Sequence, residues 1–314
     1  MTDHDMTDPV KLKLGTRASP LAMAQAHETR ARLCAAHGWD EQAVELHPVT
    51  ASGDKVQDRP LAEIGGKALW TKELDQWLAD GLIDASVHSL KDVETVRPDE
   101  FTLAAILPRA DKRDRLIGAA SLAALPQGAV IGTSAPRRAA QALHQRPDCK
   151  VVFFRGNVAT RLAKLAAGEA DATFLAAAGL ERLGQQGVGH ALDPADWLPA
   201  PAQGAIALEC RTADSRVRQL MAAVDHAPSR AEVMAERALL AALGGGCHSA
   251  IAVSCDPVGD DLLMRAALFS PDGAERVAGE TRFAPGDSNG PAQLAQDLLA
   301  RSSPAIRNLF GSGH

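Results

Sequence analysis

SVHSLKDV, at residues 86–93, is the stretch around which the rest of the chain can be arranged. Residues 67–79 before it carry large apolar side chains at helical spacing, which predicts a helix that ends at Gly81. Apolar and polar residues alternate over 83–87, which predicts a short strand leading into the stretch. In open α/β sheets ligands bind at the carboxyl ends of strands, so Asp92 is the first candidate for chemistry. The alternative is a solvated Lys–Asp pair at a strand end.

Composition and charge narrow the class of protein. The chain has 314 residues, of which 46% are hydrophobic and 23% charged, as expected for a globular protein of two or three domains. A net charge of -6 argues against nucleic-acid or anionic-membrane partners, but not against a small anionic ligand. The five cysteines are widely spaced without a Cys-x-x-Cys pair, so they predict neither a disulfide framework nor a metal site. Residues 1–9 are acidic and polar and no apolar run approaches ~20 residues, so we expect a cytoplasmic protein.

The first part of the chain alternates strands and helices. Strands are predicted at 11–14 and 44–50, with a helix at 21–36 between them. Ser19 is a good N-cap for that helix, and Arg17 precedes it. A helix N-terminus beside an arginine is a ready anion site, although plain capping by Ser19 is the simpler interpretation.

The second part repeats this alternation and places arginines where strands turn into helices. Strands are predicted at 129–132, 149–154 and 171–175. The basic residues at or near these turns are Arg137, Arg138, Arg155, Arg161 and Arg182. Positive charge at a helix start opposes the helix dipole, so the adjacent pair indicates an anion there. Each arginine alone is more often a solvated charge, but their repeated placement favours convergence on one cleft.

Two connections divide the chain. The charged segment 108–115 is predicted to cross into a second domain, and the Pro/Gly-rich segment 198–204 to return from it. Two crossing segments between α/β lobes form a hinge. The glycine-containing segment 51–67 is predicted to be a long loop that covers a site. The expected domains are 1–107 with 206–226, then 108–205, then a smaller α+β domain at 227–314.

Gly244-Gly245-Gly246-Cys247 is the most unusual local sequence. Glycines after a helix allow close approach of another group, so Cys247 would present an accessible thiol. The alternative is a small buried cysteine after a helix cap. Motifs for nucleotides, zinc proteases and serine hydrolases are missing from the sequence. One carboxylate, one thiol and many arginines together indicate a site for a ligand with several carboxylates, because the guanidinium fork matches a carboxylate.

Taken in order, these residues resemble the porphobilinogen deaminase (hydroxymethylbilane synthase) family. The groups that carry the resemblance are 16–22, 65–67, 87–93, 132–134 with 137–138, 155–158 with 160–161, and 245–247. Any one group is weak, whereas the ordered set covers almost the whole chain and is specific.

The resemblance implies an α/β fold of two lobes similar to type 2 periplasmic binding proteins, joined by a two-strand hinge, with a third, smaller domain. It implies a monomer, without a metal, that joins four porphobilinogen molecules into hydroxymethylbilane and releases ammonia. A dipyrromethane cofactor would be bound through a thioether to Cys247, and Asp92 would be the catalytic carboxylate.

Three sets of residues are implied around them. The implied cofactor-binding residues are Asp54, Ser89, Lys91, Ser134, Arg137, Arg138, Arg155 and Arg161. The implied substrate-binding residues are Arg17, Ser19, Gln25, Arg155 and Arg182. The implied lid loop contains Gly65, Gly66 and Lys67. The positions that depart from the family pattern are Glu63, Ala159, Ala202, Ser249 and Ala250.

The residue types suit this chemistry. Loss of ammonia from an aminomethyl pyrrole leaves a cation, and a carboxylate near the pyrrole N–H stabilises it, an effect of ~10²–10⁴ in rate for a positioned acid or base. The alternative is a non-enzymatic ligand sensor built from the same two hinged lobes. That alternative accounts for the arginines but leaves residues 244–247 and the third domain unexplained.

Overall fold

The computed structural model describes residues 10–50, 71–245 and 249–310. The strands are β1 (Leu12–Arg17), β2 (Val44–Val49), β3 (Ala85–Ser89), β4 (Phe101–Ile106), β5 (Asp114–Ile117), β6 (Val130–Gly132), β7 (Lys150–Val152), β8 (Ala172–Ala176), β9 (His190–Ala191), β10 (Ile206–Arg211), β11 (Ile251–Val258), β12 (Asp261–Phe269) and β13 (Arg276–Phe283). The α-helices are α1 (Pro20–His37), α2 (Lys72–Ala79), α3 (Pro136–Gln145), α4 (Val158–Ala166), α5 (Ala177–Arg182), α6 (Ser215–Ala222), α7 (Ala227–Ala242), α8 (Asn289–Arg301) and α9 (Pro304–Arg307).

The first sheet has the strand order β2-β1-β3-β10-β4. Its strands β1, β2 and β3 run parallel, whereas β10 is antiparallel to both β3 and β4. Strand β1 extends to Arg17, three residues beyond the predicted end, because residues 15–17 continue to pair with β2. A Cβ at position 15 would lie 2.4 Å from Cδ1 of Ile83, so any larger residue there would force the buried Ile83 side chain to shift.

The second sheet repeats this arrangement in the order β7-β6-β8-β5-β9. Strand β6 runs parallel to β7 and β8, and β5 is inserted antiparallel to β8. In each sheet, therefore, the strand that directly follows a crossing is inserted antiparallel at the fourth position of the spatial order: β10 in the first sheet and β5 in the second. This confirms the predicted pair of periplasmic-binding-protein-like lobes.

The chain passes between the two sheets twice, after β4 and again before β10. The first crossing was predicted to continue to Arg115, but strand β5 already begins at Asp114. The prediction was wrong there because a run of charged residues suggests solvent, whereas Asp114 is fully buried among donors that neutralise it. The antiparallel entry of β5 into the second sheet fixes the position of these donors.

The C-terminal part forms a three-stranded antiparallel sheet in the order β11-β12-β13. Helices α7 and α8 pack against it over an apolar core that includes Leu239, Val253, Met264 and Leu298. Strand β13 was not predicted, because its sequence RVAGETRF is largely polar and most of its residues lie at the surface. Within the described ranges, no helix combines the length and apolarity needed to cross a bilayer.

Candidate active site

A pocket lies where β1 and β3 end beside α1, and four of the residues singled out from the sequence line it. They are Arg17, Gln25, Ser89 and Asp92. The other lining residues are Ala22, Thr71, Val87, His88 and Val93. The pocket forms at the carboxyl ends of two adjacent parallel strands, which is the position expected for a ligand site in an α/β sheet.

Asp92 is held at this edge by a short 3-10 turn over Leu90–Asp92. The turn is fixed on both sides: Leu90 is fully buried, and its N–H donates to the carbonyl of Ala205 at 3.1 Å. Val93 is also buried, and its N–H donates to the carbonyl of Leu90 at 3.2 Å. The buried apolar neighbours set the backbone, so the half-buried carboxylate of Asp92 lines the pocket.

Hydrogen bonds order two further polar groups here. The Nε2 of Gln25 donates to Oγ of Ser89 at 2.8 Å, and the same hydroxyl lies 3.0 Å from Oε1 of Gln25. The Oγ of Ser19 accepts from the N–H of Ala22 at 3.4 Å, so Ser19 caps α1 as its sequence context predicts. Its predicted contact with substrate stays a prediction.

Cations from both lobes act on the same region. Burial is the main cause that lowers the pKa of Lys91 to about 8, with Asp92 opposing and Arg138 assisting the shift. Burial likewise lowers the pKa of Arg161 to about 10, with Arg138 again assisting and Asp92 opposing. Positive charge is therefore crowded in this region, an environment that an anionic ligand would relieve.

The adjacent arginines at the start of α3 point to an internal anion. Arg137 donates through Nη2 to Oδ2 of Asp114 at 2.8 Å, and Arg138 donates through Nη2 to Oδ1 at 2.7 Å. Arg137 also donates to the carbonyl of Leu198 at 2.9 Å, and Arg138 to that of Phe174 at 3.0 Å. The anion that the sequence indicated at this helix start is thus supplied, at least in part, by the protein itself.

The remaining predicted residues of the second lobe lie at different depths. Arg155 is nearly buried, with 8% of its surface exposed, and Ser134 is half-buried after β6. Arg182 donates to Oε2 of Glu28 at 3.2 Å and to the carbonyl of Gly204 at 3.1 Å. Because Glu28 belongs to α1, Arg182 links the two lobes beside the return crossing.

Several predicted residues lie outside the described residues, so the structure says nothing about them. These are Asp54, Glu63, Gly65, Gly66, Lys67 and Cys247.

The segment that leads towards Cys247 is described up to Gly245, and it contacts the chain just after Asp92. Thr95 donates through Oγ1 to the carbonyl of Gly245 at 3.4 Å. Arg237 of α7 donates to the carbonyls of Val93 and Thr95 at 3.2 and 3.0 Å, and also to that of Glu94. The helix before the glycine loop is therefore anchored within three residues of Asp92.

Among the described residues, sequence reasoning missed three fully buried carboxylates, those of Asp114, Glu209 and Glu236. Asp114 is hidden in a run of charges, and Glu236 lies on α7, where it binds Arg109. Glu209 lies in β10; its carboxylate accepts from Nε and Nη2 of Arg97 at 2.8 and 2.9 Å and lies 3.3 Å from Nε2 of the pocket residue His88. A charged residue in the apolar strand sequence IALECR was the available signal for Glu209.

The fold and the site define a class: a two-lobed α/β protein with a carboxylate at the edge of one lobe and clustered cations in the other. Residues 12–219 match the family model described as "Porphobilinogen deaminase, dipyromethane cofactor binding domain", and residues 230–301 match "Porphobilinogen deaminase, C-terminal domain". The chain belongs to the porphobilinogen deaminase family.

Two relatives with high identity agree with this assignment. The chain is 56% identical over 307 residues to Porphobilinogen deaminase of Sphingopyxis alaskensis, covering 96% of this chain and 97% of that protein. It is 47% identical over 304 residues to Porphobilinogen deaminase of Paracoccus denitrificans, covering 95% and 96%. Among solved structures, a double mutant of the Bordetella pertussis BvgS VFT2 domain aligns with a TM-score of 0.41 at 16% identity, over 68% of this chain and 85% of that one.

The protein is accordingly a transferase of tetrapyrrole biosynthesis that condenses porphobilinogen into hydroxymethylbilane and uses a dipyrromethane cofactor. Membership of an enzyme family decides against the alternative of a non-enzymatic ligand sensor.

Proposed function

We propose that Asp92 is the catalytic carboxylate of this condensation and that the dipyrromethane cofactor is attached through Sγ of Cys247. The observation that carries the proposal is the single carboxylate of Asp92, which lines the pocket and acts on both Lys91 and Arg161. Those cations come from different lobes, so a ligand bound between the lobes would meet the carboxylate and the cations together.

The donors in this region suit a cofactor with acetate and propionate side chains. Arg138 is nine-tenths buried, yet its Nε has no hydrogen-bond partner among the described residues. Such a buried donor is costly unless a ligand uses it. The residues proposed to hold the cofactor are Asp54, Ser89, Lys91, Ser134, Arg137, Arg138, Arg155 and Arg161. When bound, the cofactor supplies the pyrrole carbon to which the first substrate unit is joined.

Asp92 has two tasks in this proposal. Its carboxylate accepts a hydrogen bond from the pyrrole N–H of porphobilinogen and stabilises the positive charge that develops as ammonia leaves. The substrate's own carboxylates are proposed to bind to Arg17, Ser19, Gln25, Arg155 and Arg182. The mutual hydrogen bonds of Gln25 and Ser89 support this assignment, because they hold the amide in one orientation at the pocket wall.

The contacts of the third domain support attachment at Cys247. Gly245 accepts a hydrogen bond from Thr95, and Arg237 binds the backbone that follows Asp92. Cys247 follows Gly245 by two residues in the sequence, so the contact between Gly245 and the segment that follows Asp92 is consistent with attachment at Cys247.

The role of Asp92 is tested by the Asp92→Asn variant, with Asp99→Asn as the control. Both substitutions remove one charge, but Asp99 is exposed and outside the pocket. We expect Asp92→Asn to fold and to bind substrate, with turnover slower by ~10²–10⁴, and Asp99→Asn to turn over normally. Equal turnover in the two variants would remove Asp92 from the mechanism.

Attachment at Cys247 is tested by the intact mass of the purified chain. The wild-type protein should carry the extra mass of a dipyrrole and should give a pyrrole colour reaction after denaturation. Cys247→Ser should lack both, whereas Cys34→Ser, at a buried cysteine of α1, should keep both. An active Cys247→Ser protein of unmodified mass contradicts the attachment.

The lid loop, the domain division and the molecular state complete the proposal. We propose that Gly65, Gly66 and Lys67 belong to a loop that covers the pocket. The domains are proposed to be 1–107 with 206–226, 108–205 and 227–314, supported by the three separate sheets. A cytoplasmic location is supported by the free, buried cysteines among the described residues. The protein is also proposed to be a monomer, which light scattering at the mass of a single chain would test.

A further inference from the structure

Asp114, to which the proposed function assigns no role, lies at the centre of a buried polar cluster. Its side chain is fully buried, and each carboxylate oxygen accepts two hydrogen bonds. Oδ1 accepts from Arg138 at 2.7 Å and from Nε2 of Gln203 at 2.9 Å. Oδ2 accepts from Arg137 and from Nε1 of Trp197, both at 2.8 Å. Four donors, two of them charged, satisfy the carboxylate and hold it ionised.

The cluster joins the arginine pair to the crossing segments. Asp114 is the first residue of β5 after the outward crossing, whereas Gln203 belongs to the return crossing and Trp197 directly precedes it. Gln203 also donates through Nε2 to the carbonyl of Lys112 at 2.7 Å. Both crossing segments and the start of α3 are thereby fixed around one carboxylate.

The charges of the cluster do not balance. Asp114 is a single anion, and it is bonded to two guanidinium groups, Arg137 and Arg138, both about 95% buried. Burial lowers the pKa of Arg137, and Asp114 only partly offsets this effect. Each guanidinium has five N–H donors, and the contacts to Asp114 and to backbone carbonyls leave several of them for a ligand. The Nε of Arg138 is one such donor, since it is buried without a partner within the described part of the chain.

We propose that Asp114 is a positioning residue for the dipyrromethane cofactor. Asp114 orients Arg137 and Arg138 from the protein side, so that their remaining donors bind the cofactor's carboxylates. The inference rests on the proposed role of these two arginines. It goes beyond that role because it states that a buried aspartate, and not the ligand, fixes the geometry of both guanidinium groups. A long cationic side chain that is already held loses less conformational entropy on binding.

The experiment compares three variants of the full chain. Asp114→Asn removes the internal anion, Arg138→Gln removes one proposed cofactor-binding arginine, and Asp148→Asn removes a surface carboxylate that pairs with Arg146 in the same lobe. The first measurement is the fraction of purified protein that carries the dipyrrole mass. We expect this fraction to fall at least threefold in Asp114→Asn and in Arg138→Gln, and to stay at the wild-type value in Asp148→Asn.

The second measurement separates positioning from a purely structural role. Apoprotein is loaded by incubation with porphobilinogen across a pH series. The charged groups that act on Lys91 are Asp92, Arg138, Asp114 and Arg137, and Asp114 is one of the two that raise its pKa. Without Asp114 the alkaline decline in loading should therefore begin at lower pH than in the wild type.

Each result decides the matter. If Asp114→Asn loads like the wild type while Arg138→Gln does not, the positioning role is wrong and the arginine site stands. If both load like the wild type, the arginine pair does not hold the cofactor. Reduced loading with an unchanged pH profile shows that Asp114 only stabilises the fold. If Asp114→Asn does not fold, Trp197→Phe serves instead, because it deletes one donor to Asp114 and keeps every charge. We expect at least twofold lower loading from it, and wild-type loading would overturn the proposal.

Discussion

Replacing Glu236 by Gln neutralises a carboxylate that no solvent reaches and that joins three parts of the protein. Glu236 lies on α7, and its Oε1 accepts from Nη1 of Arg109 at 2.9 Å and from the N–H of Cys255 at 3.0 Å. Its Oε2 accepts from Nη2 of Arg109 at 2.9 Å and from the N–H of Ala202 at 2.7 Å. The outward crossing, the return crossing and strand β11 therefore all depend on this side chain.

The expected cost follows from these contacts. Burial alone would lower the pKa of Arg109, but Glu236 and Glu232 outweigh it and raise the pKa, so the arginine stays charged. In Glu236→Gln one oxygen becomes an amide NH₂ that faces two N–H donors, so two hydrogen bonds are lost and the arginine loses its main counter-charge. Breaking a buried pair from one side costs ~3–5 kcal/mol. Because Glu232 remains 3.2 Å from Nη1 of Arg109, we expect about 3 kcal/mol.

The assay is urea unfolding followed by circular dichroism, with Glu232→Gln as the matched control. Glu232 also pairs with Arg109 at 3.2 Å and with Lys112 at 3.6 Å, but it is partly exposed and both contacts are longer, so its loss should cost less than about 1 kcal/mol. A cost of about 3 kcal/mol is a large part of the ~5–15 kcal/mol that stabilises a typical domain. Equal, small losses of unfolding free energy in the two variants would refute this expectation, because they would mean that burial does not strengthen the Arg109–Glu236 ion pair.

Three further predictions concern pH and a helix cap. Because the pKa of Lys91 is lowered to about 8, Lys91 loses its charge as pH rises through that value. Cofactor loading should therefore decline there in the wild type but not in Lys91→Arg, whose guanidinium stays charged. Coincident pH profiles of the two proteins would contradict this. Burial would raise the pKa of Glu209, but His88 and Arg97 hold that pKa at about 2. The stabilising effect of Glu209 is therefore present above about pH 4.5 and is lost as pH falls towards 2. Over that window the free energy of unfolding, measured by urea titration at each pH, should vary less in Glu209→Gln than in the wild type. Asn157 caps α4 by accepting from the N–H of Thr160 at 2.9 Å, so Asn157→Ala should cost about 1 kcal/mol in thermal unfolding, and an unchanged midpoint would mean that the cap is not needed.

Features set by residues a few positions apart in the chain could be predicted from the sequence, and the structure confirms those given below. Proline at position 136 begins α3, since its fixed φ and missing N–H suit a first helical turn. Apolar alternation predicted β3, and the motif after it identified Asp92 at the pocket. These features depend on neighbours within a few residues, so a single sequence contains them.

The tertiary structure alone decided which distant groups meet. Ser89 binds Gln25 across 64 residues of chain, and Thr95 meets Gly245 across 150. The sequence shows Asp114 as one charge among six, and only the folding of β5 between β8 and β9 makes it the buried partner of two arginines. A carboxylate is a surface group unless donors surround it, and which donors surround it is set by strand order, which no local pattern encodes.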